Sequence, residues 1–213
     1  MAWDWSAFCG SAAALKWNRR DLPDLLAAAD ACTQKRVAVQ AGGHLGVFPK
    51  ALAEIFSHVY TFEPAADLFA HLMHNAPEPN IFKFQAALGD ARRMVGLSRV
   101  RRDGKPDAHE GITHVFGDGP VPTLRVDDLN LPVCDFIHSD LEGWEFYALR
   151  GAQATVRRRR PVLSLEVNKN QGYVGIQQDF LRDAVKALGY RFVKRMHSDE
   201  LYTPAEWPEA VAV

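Results

Sequence analysis

Residues 37–46 read Val-Ala-Val-Gln-Ala-Gly-Gly-His-Leu-Gly, an apolar run that ends in a glycine-containing turn. The run predicts a buried strand, and apolar residues at helical spacing from Val47 to Phe56 predict a helix after the turn. Open α/β sheets bind ligands at the carboxyl ends of such strands, where glycines let a ligand approach the backbone. The turn lacks the G-x-G-x-x-G spacing of a nicotinamide site, and turns of this kind are common without a ligand.

Strands and helices alternate along the rest of the chain. Helices are predicted from Asp21, at or near the N-cap, and over 65–75, 144–156 and 177–188. Strands are predicted over 58–62, 81–88, 133–139 and 161–167, and 190–194 is expected to pair with 200–202 as a final hairpin. This order predicts a mostly parallel sheet covered by helices on both faces, with an antiparallel pair at its edge.

The composition fits one domain over residues 1–213, acting as a monomer or homodimer, with a helical N-terminal segment over 1–35. The 25 Lys and Arg nearly balance the 26 Asp and Glu, so the net charge of -1 argues against nucleic acid as a partner. No stretch approaches the roughly 20 apolar residues that span a bilayer, so no membrane partner is expected. The acidic N-terminus is unlike a secretory signal, and three separated cysteines fit neither a disulfide framework nor a zinc site. We therefore expect a cytoplasmic protein.

Residues 91–122 interrupt the alternation with several arginines, glycines and aspartates. The pattern predicts an inserted hairpin or loop with its tip near 103–106 and a second arm around 112–116. Because it follows the third strand, this excursion is expected near the site, where loops on a rigid sheet commonly carry specificity.

A carboxylate ends the second predicted strand. Glu63 is followed by Pro64 and lies about 20 residues after the glycine turn, where an acid can accept both hydroxyls of a ribose. The alternative is a carboxylate that only stabilises a helix N-terminus. With the glycine turn before it, ribose binding is the favoured interpretation.

Three more carboxylates, Asp140, Glu142 and Glu145, follow the fourth predicted strand. Such a group can bind a substrate, ligate a metal, transfer a proton or begin a helix. His138 lies two residues before Asp140, so on an extended strand the two face the same side. Imidazole can remove a proton near neutral pH, although a histidine in a strand is more often a satisfied polar group.

These segments, in this order, resemble the FkbM family of S-adenosylmethionine-dependent methyltransferases. Residues 40–46 take the place of the family's D-V-G-A-N-x-G pattern, and residues 137–145 resemble I-K-I-D-V-E-G-x-E. The resemblance extends over about residues 37–168 and includes the family's F-E-P, A-x-G-D and T-L-D-D-L segments at 62–64, 86–90 and 123–129, with continuations at 150–152 and 161–166.

The resemblance implies a Rossmann-like class I methyltransferase fold, with a seven-stranded, mostly parallel sheet, an antiparallel last strand and helices on both faces. It implies methyl transfer to a hydroxyl of a small-molecule or glycan acceptor, such as a sugar or natural product. Glu63 would take the ribose hydroxyls, and Asp140 would lie near the methionine end. The cofactor-binding residues it implies are Gln40, Gly42, Gly43, His44, Gly46, Glu63, Pro64, Ala86, Ala87, Leu88 and Asp140.

The catalytic candidates are Asp140, His138 and Glu142. A sulfonium already activates the methyl group, so the protein mainly aligns the acceptor and takes its proton. Asp140 is expected to be indispensable, Glu142 supporting and His138 a base. Glu166 and Asn168 at the next strand end could join Asp140 as ligands of a divalent metal, and metal-free transfer stays equally open.

Three positions depart from the family's pattern. Gln40 replaces an acid that would hold the cofactor's amino group, His44 replaces Asn, and His138 replaces Lys. Gln40 keeps open a non-catalytic binding module. The arginines of the excursion keep open a nucleic-acid methyltransferase, although the chain lacks an N-P-P-Y-type motif after the fourth strand.

Overall fold

In a computed structural model of the protein, described for residues 4–99, 113–167 and 178–208, helices and strands alternate around a central sheet. The strands are β1 (Val37–Ala41), β2 (His58–Phe62), β3 (Ile81–Phe84), β4 (Ala87–Leu88), β5 (Met94–Val95), β6 (Leu97–Ser98), β7 (His114–Val115), β8 (Val121–Leu124), β9 (Phe136–Ser139), β10 (Val162–Glu166), β11 (Tyr190–Arg195) and β12 (Asp199–Pro204). The helices are α1 (Ala12–Asp30), α2 (Val47–Ala53), α3 (Ala66–Asn75), α4 (Glu145–Arg150), α5 (Gln153–Arg159) and α6 (Gln178–Ala187), with 3-10 turns at Trp5–Ala7 and Val126–Leu129.

Seven strands form the main sheet in the order β11-β12-β10-β9-β1-β2-β3. All neighbours are parallel except β12, which runs antiparallel to both β10 and β11. The predicted seven-stranded sheet with an antiparallel final pair is confirmed. The carboxyl ends of the parallel strands therefore meet at one edge, where open sheets of this kind bind ligands.

Helices cover both faces of the sheet, which explains why every residue of β1 is buried. Ala38 belongs to the core between the sheet and helices α1, α2 and α3. Val39 points the other way, into the core beneath α4, α5 and α6. Strand side chains alternate between faces, so a strand covered on both sides is apolar throughout. Among the described residues, no helix is long and apolar enough to span a membrane.

The predicted helix start at Asp21 is wrong, because α1 already begins nine residues earlier. It begins at Ala12, where the Ser11 hydroxyl accepts a hydrogen bond from the Ala14 amide, and it continues through Pro23. Proline lacks an N–H and usually interrupts a helix. Here the apolar side of α1, which includes Leu22 and Leu25, is buried in the core, and this packing maintains the helix across the proline.

Two other predicted elements are each divided in the structure. The strand predicted over 81–88 is β3 in the main sheet and β4 in a small sheet with β8 and β5. The helix predicted over 144–156 is two helices, α4 and α5, because the helix is interrupted at Gly151. The Gly151 carbonyl accepts from the Asp127 amide, and the Asp127 carboxylate caps α5 by accepting from the amides of Ala154 and Thr155.

The base of the predicted excursion is an antiparallel pair of strands. Leu97 pairs with Val115, and Ser98 pairs with His114. The predicted tip at 103–106 lies outside the described residues, as does Ile112 at the start of the second arm. The described part of the excursion, residues 91–99 and 113–122, therefore contains β5, β6, β7 and the start of β8.

Candidate functional site

A cavity of about 270 Å³ lies at the carboxyl ends of β1, β2, β9 and β10. Each of these strands, or the loop after it, supplies at least one polar residue to the wall. The α1 helix forms a further wall, and the base of the excursion adds Thr113 and Val115. The predicted site residues that line the cavity are Gly42, His44, Glu63, Pro64, Ala87, Leu88, Asp140, Glu142 and Glu166.

The glycine turn brings the ends of β1, β2 and β9 together. The amides of Gly42 and Gly43 both donate to the Phe62 carbonyl, at 3.0 and 2.9 Å. Gly42 has a φ of 86°, and a Cβ there would lie 2.1 Å from the Asp140 carbonyl oxygen. A side chain at Gly42 would therefore separate the turn from the loop that carries Asp140.

Four of the predicted cofactor residues support the cavity from behind and are not among its described lining residues. These are Gln40, Gly43, Gly46 and Ala86. The fully buried Gln40 donates from Nε2 to the carbonyls of Gly42, at 2.8 Å, and Ala41, and its Oε1 accepts from Thr61. Gln40 therefore braces the turn with its own amide and presents no charge to the cavity.

Glu63 is the best-defined polar group of the cavity wall. Its side chain is buried, with 4% of the residue exposed, and each carboxylate oxygen accepts one backbone amide. Oε2 accepts from His44 at 2.8 Å and Oε1 accepts from Ala65 at 2.9 Å. Burial raises the pKa of Glu63 to about 7, against the opposing effect of these two amides. Each oxygen retains a second lone pair that can accept from a ligand hydroxyl.

Three carboxylates converge at the other end of the cavity. Oxygens of Asp140, Glu142 and Glu166 lie within 4.8 Å of one another. Burial raises the pKa of Asp140, and burial together with the neighbouring acids raises that of Glu166. Oxygen donors in this arrangement suit a divalent cation or an ammonium group. Asn168, the other predicted metal ligand, lies outside the described residues.

Glu145, the last acid of the predicted group, has a structural role. It is fully buried, and its Oε1 accepts from the amides of Leu141, at 2.7 Å, and Gly143. Burial also raises the pKa of Glu145. These bonds hold the tight turn between β9 and α4, in which Glu142 and Gly143 both have positive φ.

His138 lies behind Asp140 rather than in the main cavity wall. Its Nε2 is 3.2 Å from Asp199 Oδ2, and with Asp140 and Asp199 it lines a small adjoining cavity of about 10 Å³. Burial lowers the pKa of His138, but Asp199 and Asp140 raise it by more, so the net shift is upward. No motif in the sequence indicates Asp199, because it comes from β12, far along the chain from the other site residues.

The α1 wall was also missed, since Pro23 concealed the length of that helix. Ala14, Trp17, Asn18, Arg20 and Asp21 all line the cavity. Asn18 connects α1 to the glycine turn through a 3.0 Å contact between its Nδ2 and His44 Nδ1. The only signal in the sequence for this wall was the alternation of apolar and polar residues at helical spacing over 12–30.

The methyltransferase FkbM domain matches residues 47–192 of the sequence, which is more than half of the chain. The chain belongs to the FkbM methyltransferase family. In this FkbM-family protein the match begins directly after the glycine turn. Glu63, Asp140, Glu142 and Glu166 fall within it, whereas α1 does not.

Solved structures show the same fold. The crystal structure of methyltransferase FkbM from Methylobacillus flagellatus KT is similar with a TM-score of 0.56 and 18% identity, over 79% of this chain and 43% of that one. The chain thus spans less than half the length of that relative. Precorrin-6y C5,15-methyltransferase from Geobacter metallireducens GS-15 has a TM-score of 0.50 and 12% identity, over 95% of this chain and 96% of that one. A search of curated protein sequences returned no significant match.

Proposed function

We propose that this FkbM-family protein transfers a methyl group from S-adenosylmethionine to a hydroxyl of a sugar, glycan or natural-product small molecule. The observation that carries the proposal is Glu63. Its carboxylate is buried in the cavity wall, is oriented by the amides of His44 and Ala65, and can accept from two adjacent hydroxyls. A ribose offers such a pair of hydroxyls.

The remaining surfaces of the cavity fit the other parts of this cofactor. Pro64, Leu68, Ala87 and Leu88 provide apolar contacts for a nucleobase beside Glu63. The carboxylates around Asp140 supply acceptors for an ammonium group at the other end. An apolar wall, an acid for hydroxyls and an acidic end thus occur in one cavity, as the nucleobase, ribose and amino-acid parts of this cofactor require.

S-adenosylmethionine would supply a methyl group that its sulfonium already activates. The chain must then hold the acceptor hydroxyl in line and take its proton. Asp140 lines the cavity, and burial raises its pKa toward the neutral range, which makes its carboxylate a stronger base. We assign the contact with the hydroxyl to Asp140, with Glu142 beside it.

His138 takes a supporting role in this proposal. Because its Nε2 contacts Asp199 and its ring lies behind Asp140, it acts on the position and charge of Asp140. His138→Ala should retain cofactor binding and slow transfer, whereas Asp140→Asn should abolish transfer in a folded protein. An unchanged rate in His138→Ala, measured where chemistry limits turnover, would contradict this role.

The decisive first experiment is calorimetric titration of the protein with S-adenosylhomocysteine, which needs no knowledge of the acceptor. We expect one-to-one binding, and a lack of binding would contradict the proposal. Incubation with S-adenosylmethionine labelled in its methyl group and a panel of sugars and extracted glycans then tests the acceptor. A methyl ether formed on a hydroxyl survives mild alkali, whereas a methyl ester on a carboxylate does not.

A further inference from the structure

A single guanidinium enters the largely acidic cavity. Among the described lining residues, Arg20 is the only arginine or lysine. Its Nε and Nη2 donate to the two carboxylate oxygens of Asp21, at 2.6 and 2.7 Å. The guanidinium carbon also lies 4.1 Å from the centre of the Trp17 ring. These two contacts favour one orientation of the guanidinium before any ligand binds, in a side chain that is 38% exposed.

Arg20 belongs to the Asp140 end of the cavity. Its partner Asp21 also lines the small adjoining cavity with Asp140, and the charge of Asp21 contributes to the raised pKa of Asp140. Asn18 lies earlier in α1 and contacts His44, whose amide donates to Glu63. Helix α1 therefore extends along the cavity from the Glu63 end to the Asp140 end.

A guanidinium beside carboxylates is complementary to an amino-acid zwitterion. The fork to Asp21 engages Nε and one N–H of Nη2, and leaves Nη1 and the other N–H of Nη2 to bind a second carboxylate. An ammonium close by would find its acceptors among the carboxylates beside Asp140, those of Glu142 and Glu166. Gln40 does not provide that partner, because its amide is engaged by Thr61 and the turn.

We propose that Arg20 binds the carboxylate of the methionyl group of S-adenosylmethionine, while the carboxylates beside Asp140 accept from its ammonium. The inference rests on the proposed function and names a second binding group at the end of the cavity opposite Glu63. It also assigns to α1, which lies outside the family match, a direct part in cofactor binding.

The test compares two ligands that differ only in the amino-acid part. S-adenosylhomocysteine carries the carboxylate, whereas 5′-methylthioadenosine lacks it. Arg20→Gln should weaken binding of S-adenosylhomocysteine by about 10- to 100-fold, the range for a lost hydrogen bond to a charged group, and leave binding of methylthioadenosine unchanged. Arg20→Lys keeps the charge without the fork and should show a smaller loss.

Arg19→Gln is the matched control, because Arg19 is the neighbouring exposed arginine and stacks on Trp5 instead of lining the cavity. It should bind both ligands as the parent does. Equal affinity of the parent and Arg20→Gln for S-adenosylhomocysteine would overturn the inference, because Arg20 would then not bind the carboxylate of the cofactor. An equal loss for both ligands would overturn it as well, since the variant would then have disturbed the wall. If the parent binds neither ligand, the proposed function fails, and this inference with it.

Discussion

At the scale of the residue, the Glu63 carboxylate is already oriented as a ribose acceptor requires. It is held by two backbone amides, so little rotamer freedom is lost when a ligand binds. Glu63→Ala should therefore weaken the binding of S-adenosylhomocysteine by about 1.5–3 kcal/mol, which corresponds to a roughly 10- to 150-fold higher dissociation constant. Glu54→Ala, at an exposed glutamate at the end of α2, is the control in the same titration. A Glu63→Ala protein that binds as tightly as the parent would remove this residue from the site.

The raised pKa of Glu63 predicts a pH-dependent affinity. Only the ionised carboxylate accepts from both hydroxyls, and with a pKa of about 7 in the ligand-free protein most of it is protonated at pH 6. Binding of S-adenosylhomocysteine should therefore strengthen by about tenfold between pH 6 and pH 8, with net proton release. Calorimetry in buffers of different ionisation enthalpy measures that release. Glu63→Gln should reduce both effects, and a variant with the parent's full pH profile would assign the titration to another group.

The buried contact between His138 and Asp199 predicts a large effect on stability. Removing the imidazole leaves Asp199 and Asp140 buried without that positive partner and opens a cavity beside β10. His138→Ala should lower the free energy of unfolding at pH 7 by about 3–5 kcal/mol, the usual result of breaking a buried pair. Urea denaturation measures the change. His58→Ala, at an exposed histidine of β2, should change stability much less. Similar stability of His138→Ala and the parent would show that the pair contributes little.

At the scale of the element, the sequence predicted best what depends on local periodicity. Strand β2 has the predicted bounds 58–62, since a half-buried run between turn residues is a local pattern. The start of α1 was wrong because core packing outweighed the effect of Pro23. The break between α4 and α5 depends on Asp127, more than twenty residues away along the chain, which no local pattern shows.

The interruption between α4 and α5 places Gly151 against Gly89, and the two positions should differ in their tolerance of a side chain. A Cβ at Gly151 would lie 1.9 Å from the Gly89 carbonyl oxygen, whereas a Cβ at Gly89 would meet nothing closer than 3.6 Å. Gly151→Ala should therefore destabilise the protein by about 1–3 kcal/mol or more through forced backbone movement. Gly89→Ala, the matched control, should change the melting temperature little. Equal melting temperatures for the two variants would show that the break adjusts without strain.

At the scale of the whole molecule, the candidate site was predictable where the fold brings strand ends together. Parallel strands end at one edge, so the positions of Glu63 and Asp140 in the sequence indicated a common cavity. Arg20 and Asp199 reach the same region from α1 and β12, and neither belongs to a motif. Their placement depends on how the first helix and the last strand pack on the sheet, which motif spacing does not encode.

We expect that shortening the excursion will separate cofactor binding from acceptor recognition. Thr113 and Val115 at its base line the cavity, and Arg99 Nε donates to Thr113 Oγ1 next to the β6–β7 pair. Replacing residues 100–112 with Asn-Gly would close this pair as a two-residue hairpin and retain the base. Because Glu63 and Arg20 are untouched, the variant should bind S-adenosylhomocysteine like the parent.

The same variant should fail to transfer labelled methyl groups to the acceptor that the parent modifies, since a loop on a rigid sheet commonly supplies specificity. Thermal unfolding establishes first that the shortened protein is folded. A parallel Asp118→Asn replacement, at an exposed turn of the excursion away from the cavity lining, controls for altering the excursion at all. If the folded variant lost cofactor affinity and transfer together, residues 100–112 would belong to the cofactor site, and their assignment to acceptor recognition would be wrong.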